Sequence, residues 1–227
     1  MISNSYAIIF DLDGTLVHSI PDMHIAINKT LNEYHLQNIS EEKLQTFVGE
    51  GMLSLSKKVV DFCGGDNKLY DKIYNGYRKN YADQPYKLSS LMPGVITALD
   101  FFYDNNFPMG ICTNKRQLVT EKLIKLMNLE KYFSVIIGAR DDIPLKPKPD
   151  MVCLAIKEFN LVNKSFFMVG DTSNDIDAAK SANIKSIAIK GGYTEVDVDK
   201  LGADFTFDSM KDTIDFFKKN QIKLDPS

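Results

Sequence analysis

The chain has 227 residues, a length that suits one large domain or a core with a smaller insert. Apolar residues make up 44 % and charged residues 25 %, the balance of an ordinary globular chain, which excludes wholesale disorder. With 27 Lys and Arg against 30 Asp and Glu the net charge is −3, so no basic footprint for nucleic acid and no electrostatic hold on an anionic membrane is expected.

Tyr6-Ala7-Ile8-Ile9-Phe10 is a short continuous apolar run that predicts a strand buried on both faces, the kind found in parallel sheets. From Asp22 to about Tyr81 the spacing becomes helical, with Ile25, Ala26, Leu31, Leu44, Phe47, Val48, Leu53, Leu55, Val59 and Val60 as its apolar positions. Breaks at Asn38-Ile39-Ser40, Gly49-Glu50-Gly51 and Cys63-Gly64-Gly65-Asp66 divide this stretch into about four helices. After Leu91-Met92-Pro93-Gly94, helix and strand alternate. The expected helices are Val95 to Tyr103, Gln117 to Met127, Met151 to Phe159 and Asp175 to Ala182; the strands are Pro108 to Cys112, Phe133 to Ile137, Phe166 to Val169 and Ser186 to Ile189. A strand at Phe205 to Phe207 and a helix from Met210 to Phe217 close the pattern. The fold class is therefore α/β, a doubly wound parallel sheet interrupted by a helical insertion.

No apolar run approaches the ~20 residues of a membrane helix, and Met1 to Tyr6 carries no leader signature, so a cytoplasmic protein is expected. Cys63, Cys112 and Cys153 show no Cys-x-x-Cys spacing; buried free thiols are expected at all three.

In open parallel sheets the loops leaving the strands' carboxyl ends converge on the ligand crevice. Four such loops here carry unusual chemistry: Asp11-Leu12-Asp13-Gly14-Thr15-Leu16, Thr113-Asn114-Lys115, Lys146-Pro147-Lys148-Pro149-Asp150 and Gly170-Asp171-Thr172-Ser173-Asn174-Asp175. Two carboxylates ~4 Å apart repel by about 4 kcal/mol at an effective dielectric of 20, so a cluster of them requires a cation. An all-oxygen ligand set favours Mg²⁺, which commonly arrives with a phosphate group. A calcium loop of the EF-hand type does not fit the spacing. Beside Mg²⁺ and Lys146, ionised Asp11 can attack phosphorus in line to give an aspartyl phosphate. Asp13, two residues on, can protonate the leaving oxygen and later take a proton from water. The Thr113 hydroxyl, the Asn114 amide and the backbone N–H groups of Leu12, Asp13 and Gly14 are candidates for the phosphoryl oxygens, with Asp171 on the metal and Asp175 supporting it.

These four motifs together resemble those of the haloacid dehalogenase superfamily, most closely its phosphoglycolate phosphatase-like members with a helical cap, over essentially the whole chain. The resemblance implies a Rossmann-like core, residues 1–17 and 89–227, with a cap at 18–88. It also implies obligatory Mg²⁺ on Asp11, Asp13 (through its carbonyl) and Asp171, nucleophile Asp11, acid/base Asp13 and motif lysine Lys146. Lys148 is the weaker lysine candidate, because only Lys146 has proline at both +1 and +3. His18 departs from the family's usual aspartate and is expected at the surface of the flap.

Cap residues meet the organic part of the substrate, and Gly49, Glu50 and Gly51 are the candidate specificity loop, with Glu50 expected to disfavour a second carboxylate. Lys115 and Arg116 could offset that charge. The expected activity is hydrolysis of a small phosphorylated metabolite by a monomer or weak homodimer. A sugar-phosphate mutase, a pyrophosphatase or nucleotidase, and a receiver-type phospho-switch are the alternatives.

Overall fold

The computed structural model describes residues 6–83 and 86–221. The first strand, β1 (Tyr6–Phe10), is apolar throughout because both of its faces are covered: Ile8 and Phe10 enter one core cluster, Ala7 and Ile9 the opposite one. The chain then turns tightly. The N–H groups of Leu16 and Val17 both donate to the Leu12 carbonyl, and the path leaves the sheet through β2 (Val17–His18).

Four helices follow, α1 (Ile20–Glu33), α2 (Glu41–Gln45), α3 (Met52–Phe62) and α4 (Tyr70–Asp83). Pro21 lies in the first turn of α1, where its missing N–H breaks no helical bond. Ser40 caps α2 by accepting from the Lys43 N–H at 3.2 Å. The apolar faces of these helices close on one another through residues such as Ile27, Leu31, Val59 and Ile73, a core distinct from those flanking the sheet. The return path is β3 (Ser90–Leu91), antiparallel to β2, with Val17 opposite Leu91 and His18 opposite Ser90.

The rest alternates as expected: α5 (Val95–Asp104), β4 (Met109–Arg116), α6 (Gln117–Leu126), β5 (Val135–Ala139), α7 (Asp150–Phe159), β6 (Ser165–Gly170), α8 (Ser173–Ser181), β7 (Lys185–Ile189), β8 (Phe205–Phe207) and α9 (Thr213–Gln221). The six-stranded sheet is parallel throughout, in the order β5-β4-β1-β6-β7-β8. Leu99 and Phe102 of α5 and Phe217 of α9 cover one face; Met151 and Ala155 of α7 and Ala178 of α8 cover the other. β1 lies between β4 and β6, at the point where the winding direction reverses, so the loops after all three strands share one crevice.

Three details differ from expectation. β4 continues past Cys112 to Arg116 across a register shift against β5 between Thr113 and Arg116, so polar Thr113, Asn114 and Lys115 belong to the strand's end. The last helix begins at Thr213, after a 3₁₀ turn at Met210–Asp212. Cys63 and Cys112 are buried free thiols but Cys153 is exposed: α7 buries Met151, Val152, Ala155 and Phe159, which puts residue 153 on its outer side. No helix among the described residues is long and apolar enough to cross a membrane.

Candidate active site

Asp11 follows directly on β1, and its N–H donates to the Val169 carbonyl of β6 at 2.8 Å, so the sheet itself sets its position. Its carboxylate Oδ1 accepts from Lys146 Nζ at 2.8 Å. The same ammonium donates to Asp175 Oδ1 and to the Cys112 carbonyl, both at 2.6 Å. Lys146 is only 3 % exposed. Burial works against its charge, yet Asp11 and Asp175 outweigh that penalty and hold the ammonium well above the ordinary lysine range. Lys148 is exposed and takes no part.

Asp171, at the end of β6, is enclosed by two other loops. Its Oδ1 accepts from the Thr15 hydroxyl at 2.7 Å and its Oδ2 from the Tyr193 N–H at 2.7 Å. Gly14 (φ +91°) and Gly192 lie so close to this carboxylate that a Cβ on either would collide with it. Asp175 opens α8 as the second half of a capping box, its Oδ2 accepting from the Thr172 N–H and hydroxyl at 3.1 and 2.8 Å.

Asp11, Asp171 and Asp175 each present a carboxylate oxygen within 4.8 Å of the others, and all three are buried. Burial first, then repulsion from Asp175 and Asp13, raises the Asp11 carboxyl to about 6 against the pull of Lys146. Burial first, then Asp175 and Asp11, raises Asp171 to about 8. Buried acids that resist ionisation, with only oxygen donors around them, are the environment a hard divalent cation neutralises.

Asp13 points away from this cluster. Its carboxylate accepts from the Ser19 hydroxyl at 2.6 Å and from Lys115 Nζ at 3.0 Å to each oxygen. Lys115 also donates to the Tyr81 hydroxyl of α4 at 2.8 Å, which places the cap helix against the acid. A pocket opens between the sheet edge and the helices, lined on the sheet side by Asp11, Asp13, Thr113 and Lys115 and on the helical side by Met23, Met52, Leu55 and Tyr77.

Several expected contacts are redirected. The Gly14 N–H donates to the Val17 carbonyl at 2.9 Å, because the turn closes on itself, so it is not free for a phosphoryl oxygen. The Asn114 carboxamide is fully engaged: Nδ2 donates to the carbonyls of Gly49 (2.8 Å) and Lys146 (2.9 Å), while Oδ1 accepts from the Lys146 N–H (3.0 Å). It fixes the lysine loop rather than facing the pocket as a free donor. The Thr113 hydroxyl accepts from the Lys115 N–H at 3.3 Å. Gly49 and Gly51 line the pocket, whereas the Glu50 carboxylate turns back to Lys58 Nζ (2.8 Å) and the Ser54 hydroxyl (2.7 Å) and so puts no charge into it. Arg116 pairs with Asp141. His18 is half-buried, its Nδ1 3.2 Å from the Tyr193 hydroxyl, rather than a free surface residue.

Tyr193, Ser19 and Tyr77 are the residues of this region that motif reasoning overlooks. Gly191-Gly192-Tyr193 follows β7 on the same sheet edge, which is the one signal that could have found Tyr193.

Residues 8–189 match the family of haloacid dehalogenase-like hydrolases, and the chain belongs to it. Within that family it is phosphoglycolate phosphatase-like, an enzyme of the phosphatase type. It is 31 % identical over 217 residues to the phosphoglycolate phosphatase of Chromobacterium violaceum, covering 93 % of this chain and 96 % of that protein. It is 28 % identical over 217 residues to that of Aquifex aeolicus, covering 96 % and 99 %. The crystal structure of a predicted phosphoglycolate phosphatase from Haemophilus somnus superposes with a TM-score of 0.87 at 26 % identity, over 95 % of this chain and 99 % of that one. Hydrolases of this family generally use a divalent metal, and the Asp11, Asp171 and Asp175 cluster is compatible with one.

Proposed function

We propose that the chain is a Mg²⁺-dependent phosphomonoesterase that releases phosphate from a small phosphorylated metabolite, of the phosphoglycolate kind, through an aspartyl phosphate on Asp11. The observation that carries the reading is the single Lys146 ammonium joining Asp11 to Asp175 in the middle of the buried acid cluster.

Lys146 holds Oδ1 of Asp11, which leaves Oδ2 as the oxygen that attacks phosphorus. The N–H groups of Leu12 and Asp13 and the Thr113 hydroxyl would receive phosphoryl oxygens at the crevice that Asp13 and Thr113 line. Asp13, held by Lys115 and Ser19 rather than by the acid cluster, gives a proton to the leaving oxygen and later takes one from the attacking water. Asp11 and Asp171, with the Asp13 carbonyl and Asp175 in support, would hold Mg²⁺, which when bound supplies positive charge against the phosphoryl oxygens. Asn114 keeps the lysine loop in place. In this reading residues 18–88 act as the cap that confines the leaving group.

The test is acid quenching of the enzyme during turnover, followed by mass spectrometry of its peptides. A phosphoryl adduct on the peptide containing Asp11, with loss of turnover in Asp11→Asn by at least about 10³-fold and on EDTA treatment, is the expected result. Wild-type turnover by Asp11→Asn would remove the nucleophile from the proposal. Asp13→Asn should still form the adduct from substrates with good leaving groups.

A further inference from the structure

Two tyrosines stand four residues apart on α4 and stack on each other, ring centroids 5.7 Å apart. Their hydroxyls have different fates. That of Tyr81 accepts from Lys115 Nζ at 2.8 Å. Tyr77 is fully buried and lines the same pocket as Asp13 and Lys115, and its hydroxyl has no hydrogen-bond partner among the described residues. A buried hydroxyl without a partner costs stability, and a phenylalanine would fill the same space without that cost. Apart from Tyr81, whose hydroxyl is engaged by Lys115, the other side chains of the helical wall are apolar, Met23, Val48, Met52 and Leu55, so they can hold a carbon skeleton but cannot orient an oxygen. On the sheet side, Asp13 takes up Lys115 through both of its oxygens.

Building on the phosphatase reading above, we infer that Tyr77 is a specificity-determining residue whose hydroxyl donates to an acceptor oxygen, carboxylate or carbonyl, at the far end of the leaving group. The substrates favoured are therefore compact phosphomonoesters with such an oxygen a few bonds from the bridging one. Glu50 raises no barrier to an anionic end, since its carboxylate is held by Lys58 and Ser54 outside the pocket.

The experiment compares wild type and Tyr77→Phe on 2-phosphoglycolate, which carries such an oxygen, and ethyl phosphate, which does not, with thermal unfolding of both proteins. The expected result is a fall in kcat/KM of roughly ten- to a hundredfold on 2-phosphoglycolate, a change within about twofold on ethyl phosphate, and an unfolding temperature equal to or above wild type. Equal losses on the two substrates, no loss on either, or a lower unfolding temperature would overturn the inference, the last because it would show that the hydroxyl is satisfied inside the protein. Failure of the wild type to release phosphate from either ester would overturn the phosphatase reading itself and the inference with it, an outcome distinct from the other three.

Discussion

The main-chain N–H of Tyr193 donates to Asp171 Oδ2 at 2.7 Å, while the other end of the same residue, its hydroxyl, accepts from the Ser19 N–H at 2.7 Å. One residue of the loop after β7 thus reaches both the acid cluster and the point where the chain enters the cap. The two contacts use different atoms, so they separate under mutation.

Tyr193→Phe removes the acceptor of a buried N–H and leaves the Asp171 bond in place. A loss of about 1–2 kcal/mol in urea unfolding is expected, with divalent-cation affinity within about threefold of wild type. A large loss of cation affinity would show that the ring, not the main chain, positions Asp171.

Gly192→Ala acts in the opposite sense. Its Cβ would collide with the Asp171 carboxylate, which must rotate away from Asp11 and Asp175. The fold should survive, while Mg²⁺ affinity measured by calorimetric titration, and turnover with it, fall by about 10- to 100-fold. Unchanged affinity would mean that Asp171 is not a ligand.

The metal-free protein should lose stability as pH rises. Asp11 and Asp171 are raised from the ordinary 3.8 to about 6 and about 8, so across that interval the folded protein holds protons that the unfolded chain has released. The stability they contribute is therefore present at low pH and lost as the pH climbs through the raised values. Calorimetric unfolding in EDTA and in excess Mg²⁺, at about pH 5.5 and about pH 8, should show the larger Mg²⁺-induced gain at the higher pH. Equal gains would place the cation elsewhere.

Asn114→Ala strips three hydrogen bonds at once and leaves the buried N–H and carbonyl of Lys146 without partners. A destabilisation of about 2–4 kcal/mol is expected. kcat should fall more than KM rises, because the residue positions Lys146 rather than touching substrate. A pure KM effect in steady-state kinetics would contradict this.

Much of the architecture is legible in sequence because parallel strands covered on both faces are continuous apolar runs: Ala7 to Phe10 and Phe166 to Val169 need no tertiary information to be recognised. Asp11, Lys146, Asp171 and Asp175 are legible for a different reason, being charges placed where a buried strand has just ended. The β2–β3 pair was not, since two residues carry no periodicity. Nor was the role of Gly192 and Tyr193, because glycines before an aromatic residue read as an ordinary turn until the acid they enclose is known. Side-chain direction was the other loss. Nothing in the spelling Gly49-Glu50-Gly51 says that Glu50 will find Lys58 about two helix turns away, or that Asn114 will turn its amide to main-chain groups.

The two places where the polypeptide passes between sheet and helical layer lie side by side, Val17 against Leu91 and His18 against Ser90. In the cap reading proposed above, a body attached along one short line, rather than at two distant posts, would swing about that line as about an axle, with neither connection stretched. Such a swing leaves Asp11, Lys146 and Asp175 undisturbed, since none of them rides on the moving part. It would break the bond from Asn114 to the Gly49 carbonyl and that from Lys115 to the Tyr81 hydroxyl, which makes these contacts latches between the two layers.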